Sequence, residues 1–151
     1  MDKIFKTIKN KRTIIFVLII LWTLFIWENS IDTNEVSQDK SQYVVEKVEP
    51  IVNVKAIDKD MVSAQTNFIV RKAAHITEFL VLSVLWSVYI GCFSKERSQI
   101  HKIILTICIC LLVAVIDESI QIFSVGRTAS VKDVFIDLSG IVLGRFILYK
   151  V

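Results

Sequence analysis

A chain of 151 residues is long enough for one domain, and 54% hydrophobic residues with a mean hydropathy of +0.59 exclude an ordinary water-soluble composition. Four glycines and the single Pro50 exclude a turn-rich β-barrel, which leaves helices as the natural unit. The net charge of +3 is modest for this length and unevenly distributed, so its sign says nothing in favour of nucleic acid, and no nucleic acid partner is expected.

The first twelve residues carry Lys3, Lys6, Lys9, Lys11 and Arg12 against one acid, Asp2, and an apolar run follows from Thr13 to Trp27. No small-x-small cleavage pattern surrounds Glu28, Asn29 and Ser30, and Trp22 and Trp27 sit where interfacial aromatics belong. The segment reads as an uncleaved anchor spanning residues 13–30.

From Glu28 to Asn67 the chain turns polar, with eight acids against four lysines, and residues 31–67 form an acidic loop. Within it Val44, Val45, Val48, Ile51 and Val52 sketch a short apolar stripe suited to a membrane surface, although a solvated loop with one amphipathic turn reads equally well.

The second long apolar stretch, Phe68 to Phe93, opens with Arg71, Lys72, His75 and Glu78 before becoming uniformly hydrophobic, and predicts a span over 72–93. A short basic turn with Lys95, Arg97 and Lys102 separates it from the run starting at Ile103. That run reaches spanning length over 102–121 only if Asp117, Glu118 and Gln121 continue it. Gly126 marks a turn, and a last span is predicted over 130–148, ending with Arg145 and Lys150. Cys92, Cys108 and Cys110 fall in or beside apolar runs and read as small packing residues, not as a disulfide framework.

The expectation is therefore an all-α integral membrane bundle of four transmembrane helices forming a single domain over 1–151. Lysine and arginine concentrate in the N-terminal segment, the turn at 94–102 and the C-terminal end, which places both termini in the cytoplasm and the acidic loop outside.

Such a topology gathers three polar segments at one end of the bundle. Arg71, His75 and Glu78 share one face of the second span, Asp117 and Gln121 share a face of the third beside Glu118, and Asp133, Asp137, Gly140 and Gly144 form a stripe on the fourth. An ionised side chain facing lipid costs about 2.5–3.5 kcal/mol at a helix centre, so these groups are expected to point inward and pair. The two glycines make a small-xxx-small face that admits a neighbouring helix closely. Ser130 with Asp133 also matches a capping-box spacing.

Several readings of the cluster stay open. Arg71, Lys72 and Arg127 can neutralise Glu78, Asp117, Glu118, Asp133 and Asp137 in a purely structural lock. His75 suits packing, proton transfer or metal ligation; with one histidine in the cluster and neither an HExxH motif nor a cysteine pair, neither a metal nor another cofactor is expected. Carboxylates at the outer surface can still assemble an oxygen-rich divalent site. His101, in the basic turn, is expected to take no part.

The order R-K-A-A-H-I-T-E-F at Arg71 to Phe79, D-E-S-I-Q at Asp117 to Gln121, the pair Gly126-Arg127, and D-V-F-I-D-L-S-G at Asp133 to Gly140 closely resembles the VanZ-like family, over about residues 14–148. The resemblance implies a bacterial four-span protein of the cytoplasmic membrane whose namesake lowers susceptibility to the glycopeptide teicoplanin. It places Arg71, Lys72, His75, Glu78, Asp117, Glu118, Gln121, Arg127 and Asp133 at motif positions. Asp137 stands where family members often have Asn, and Val125 where they often have Pro before Gly-Arg.

Membrane lipid is the expected partner, and a lipid-linked cell-wall precursor or a lipoglycopeptide the expected ligand, held at the outer face by Arg71, Lys72 and Arg127 without catalysis. The alternative is a membrane-embedded hydrolase or transferase in which His75 and Glu78 move protons and Arg71 or Arg127 stabilises phosphate charge. A third reading is a structural partner protein.

Overall fold

A computed structural model describes residues 2–32, 36–37, 39–40, 42–44, 47, 59–93, 97–124 and 130–148. Four helices dominate: α1 (Asp2–Ile31), α2 (Lys59–Phe93), α3 (Gln99–Gln121) and α4 (Val131–Ile147). The described residues between 36 and 47 are also helical, and no strand occurs among the described residues. Val45, Val48, Ile51 and Val52 of the loop stripe, together with Val125, Gly126 and Arg127, lie outside the described residues.

Exposure is inverted relative to a protein that folds in water. Ser30, Ser83, Ser87, Thr106, Asp117, Gln121 and Asp137 are buried, while Ile14, Leu21, Leu24, Leu112, Phe135, Phe146 and other large apolar side chains face outward. α3 displays the cause in its sequence: Lys102, Thr106, Cys110, Ala114, Asp117, Glu118 and Gln121 recur three or four residues apart and form its buried side. The outward faces supply an apolar surface that only lipid solvates cheaply.

Among the described residues, three helices are long and apolar enough to cross a membrane: Lys11–Ile31, Asn67–Phe93 and Gln99–Gln121. The expected fourth span falls short of that count. α4 has 17 residues and contains Lys132, Asp133, Asp137 and Arg145, so it is short for a span and carries four charged side chains.

The packing is alternating. Arg12 Nε donates to the Tyr89 hydroxyl at 3.0 Å at one end of α1 and α2, while Asn29 reaches Glu78 at the other, so these helices are antiparallel. α2 and α4 are parallel and in very close contact. A Cβ added to Gly140 would overlap the backbone carbonyl of Ile76, and one added to Gly144 would overlap that of Leu80. The glycine pair thus does what its spacing led one to expect, letting two backbones approach within reach of a hydrogen bond from Ser83 Oγ to the Ile141 carbonyl, 2.7 Å. Ile19, Ile26, Phe79, Leu82, Cys110, Ala114 and Ile141 fill the space between the helices. Of the cysteines only Cys110 belongs to this core; Cys92 and Cys108 face outward.

Caps set the ends of two helices. The Ser98 hydroxyl accepts from the His101 N–H and the Ser130 hydroxyl from the Lys132 N–H, satisfying donors that have no partner inside the first turn.

Candidate functional site

The C-terminal end of α1, the middle of α2 from Arg71 to Glu78, the end of α3 and the start of α4 meet in one region of the bundle. Their polar side chains form a connected set. Ser30 Oγ donates to Asp117 Oδ1 at 2.6 Å, and Gln121 Nε2 donates to Asp117 Oδ2 at 3.1 Å, so each carboxylate oxygen of this fully buried aspartate holds a donor. Ser124 donates to the carbonyls of Ser30 and Ile31, at 2.8 and 3.0 Å, and so ties the end of α1 to the end of α3.

Glu78 is held from α1. Asn29 Nδ2 donates to its carboxylate at 2.8 Å, and Trp22 Nε1 donates to its backbone carbonyl at 2.9 Å. One helical turn earlier, His75 Nδ1 lies 3.5 Å from Asp137 Oδ1. Asp137 is 1% exposed, and neither of its carboxylate oxygens has a hydrogen-bond partner; His75 Nδ1 likewise has none. One ligand atom from each of His75, Asp117 and Asp137 falls within 4.8 Å of the others. Sequence spacing could not reveal that donor set, because its members come from three helices.

Other predicted residues serve the joints around this centre. Lys72 Nζ is 2.5 Å from Asp133 Oδ1 and 5.2 Å from the centre of the Phe68 ring, linking α2 to α4 at their shared end. Glu118 accepts a hydrogen bond from the Ser130 backbone N–H. The expected capping box therefore closes differently: Ser130 caps α4, but the acid that takes its N–H is Glu118 of α3, and Asp133 is engaged by Lys72.

A cavity of about 160 Å³ opens beside the cluster, between α1, α2 and residues 37–44. Arg71, His75, Glu78 and Asn29 contribute polar wall, and Val44, Val70 and Ala74 apolar wall. Lys40 and Asp32 complete it, paired to each other at 2.5 Å. Arg71, His75 and Glu78 are thus brought to one cavity, whereas Asp117, Gln121 and Asp137 lie behind it in the helix core and Lys72, Asp133 and Glu118 at the helix junctions. Arg127 lies outside the described residues.

Asn29, Ser30, Ser124 and Lys40 were not among the sequence candidates. The break of the first apolar run into Glu28-Asn29-Ser30 was the available signal: three polar residues at the end of a spanning helix stand where a polar neighbour can use them. His101 Nδ1 lies 2.6 Å from Ser98 Oγ, at the start of α3 and away from the cluster.

The VanZ/LLP1 family model matches residues 15–151, essentially the entire chain. No significant match is found among curated proteins or solved structures.

Proposed function

We propose, from the premise that this chain belongs to the VanZ/LLP1 family, that it is a four-span protein of the bacterial cytoplasmic membrane. Both termini face the cytoplasm, and its cavity, at the outer face, binds the anionic headgroup of a lipid-linked wall precursor or a lipoglycopeptide. Its contribution is protection against teicoplanin-type antibiotics or maintenance of the envelope.

One observation carries this reading: Arg71, His75, Asn29 and Glu78, with Asp32, Ser37 and Lys40, line a cavity to which Val44, Val70 and Ala74 add an apolar patch, at the end of a bundle whose outer surface suits lipid. A guanidinium in such a wall offers planar, paired donors to a phosphate or carboxylate, and the apolar side accepts the first part of an acyl or prenyl chain. At 17 residues α4 is about 25 Å long, near the lower limit for a span, and its two acids, Asp133 and Asp137, turn toward Lys72 and His75 of α2, which supports counting it as the fourth. The concentration of Lys and Arg at the end opposite the cavity supports the orientation.

The test is teicoplanin susceptibility of a deletion strain complemented with the wild type, Arg71→Lys or Arg71→Ala, with membrane abundance measured in parallel. Protection lost in Arg71→Ala at normal abundance is expected. Full protection by that variant would overturn the assignment.

A second reading draws on the adjacency of His75 and Glu78 at the same wall. It makes the protein a hydrolase or transferase in which these two exchange a proton with a lipid phosphate or wall intermediate. Incubating the purified chain with lipid-linked precursor, with and without divalent metal, separates the two: turnover abolished in Glu78→Gln favours catalysis, and tight binding without turnover favours the first reading.

A further inference from the structure

Among the described residues, Asp137 is a buried carboxylate, 1% exposed on α4, with both oxygens lacking a hydrogen-bond partner. A buried carboxylate without donors is costly in any apolar surrounding and demands a compensating partner. His75 approaches it at 3.5 Å, with Nδ1 itself lacking a hydrogen-bond partner, so the two groups face each other without a formed bond. Asp117 completes the set from a third helix, with one ligand atom of each residue within 4.8 Å of the others.

We propose that His75, Asp117 and Asp137 bind a divalent transition-metal ion, of which zinc fits the donors best. One imidazole nitrogen with two carboxylate oxygens is a donor set that zinc takes readily, whereas magnesium and calcium favour oxygen alone. Neutral imidazole with two carboxylates carries two negative charges, which a divalent ion balances inside the bundle.

The surroundings of Asp117 resemble the outer layer of a built metal site. Ser30 and Gln121 each donate to one of its oxygens, which fixes the carboxylate plane and leaves further lone pairs for an ion. Three protein donors leave a tetrahedral ion one position open. His75 also lines the cavity, which gives the ion a route in. This assignment stands independently of the headgroup reading, since it concerns the core behind the cavity wall.

The experiment uses the full chain, purified without a histidine tag in detergent, with Cys92→Ser and Cys108→Ser to remove outward thiols that bind zinc adventitiously. After dialysis against chelator and loading with zinc or manganese, elemental analysis reads the stoichiometry, and a competing fluorescent chelator reads affinity. About one ion per chain is expected from the one site, with affinity lost in His75→Ala and in Asp137→Asn. Ser30→Ala, which keeps all three donors, is expected to weaken binding about 10–100-fold. Helix content by circular dichroism identifies any variant that fails to fold; if Asp137→Asn is one, Ser30→Ala and His75→Ala decide. Substoichiometric metal in the parent protein, or equal retention by the folded variants, overturns the site and leaves a metal-free His75–Asp137 ion pair.

Discussion

Lys72 of α2 and Asp133 of α4 are joined at 2.5 Å, and the same lysine lies over the ring of Phe68 one turn away. Both partners are about a fifth exposed, so the pair is neither dry nor fully screened. It marks the register in which the two parallel helices meet.

Removing either partner leaves a partly buried charge, a change expected to cost about 1–3 kcal/mol, between surface and buried pairs. Lys72→Ala and Asp133→Ala should each lower the detergent concentration at which helical structure is lost. The exchange Lys72→Asp with Asp133→Lys should recover part of that loss, as measured by circular dichroism during titration with a denaturing detergent.

Gly140→Ala places a methyl group where the Ile76 carbonyl stands, and Gly144→Ala does the same against Leu80. Backbone atoms of a packed helix have no flexible end to move aside. Both variants are expected to separate α2 from α4 and to reduce the folded yield sharply, while Ser139→Ala, at an exposed position of the same helix, should leave it unchanged. Size-exclusion profiles of the detergent-purified variants check this.

Glu118 stands in for a local capping acid by accepting the Ser130 N–H across the α3–α4 junction. Glu118→Ala should therefore loosen the start of α4, at a cost of about 1–2 kcal/mol, comparable to loss of a helix cap. Faster hydrogen exchange at the first residues of α4 with unchanged protection in α1 would be the signature.

The orientation proposed above has a direct readout. In a chain whose own cysteines are replaced by serine, Asp39→Cys should react with a membrane-impermeant maleimide in intact cells. Arg97→Cys should react only after permeabilisation. The opposite pattern would place the cavity in the cytoplasm.

Much of the architecture was legible in the order of residues, because a helix that must satisfy its polar groups inside lipid writes them on one stripe. Asp117 with Gln121, and Asp133 with Asp137, announced their faces in that way, and the spacing of Gly140 and Gly144 announced a close contact. Helix ends were less legible. The span expected over 72–93 lies within a longer helix, Lys59–Phe93, whose part from Asn67 to Phe93 is long and apolar enough to cross a membrane. The grouping within the cluster was also hidden: Lys72 belongs with Asp133 and Arg71 with the cavity, although the two are neighbours in sequence. Adjacent helical positions diverge by about 100° around the axis, so a motif can serve two different surfaces. Ser30 was the hardest to foresee, for its partner Asp117 is separated from it by 87 positions.

The close contact of α2 with α4 also bears on how the chain assembles. α4 follows α1, α2 and α3 in the chain and carries Lys132, Asp133, Asp137 and Arg145 within 17 residues, a composition poorly suited to lipid without partners. The groove over Ile76 and Leu80, with Lys72 and His75 beside it, offers those charges company as soon as α2 is in place. Packing of α4 is thereby made conditional on α2, without which Asp133 and Asp137 would lose the partners that Lys72 and His75 supply.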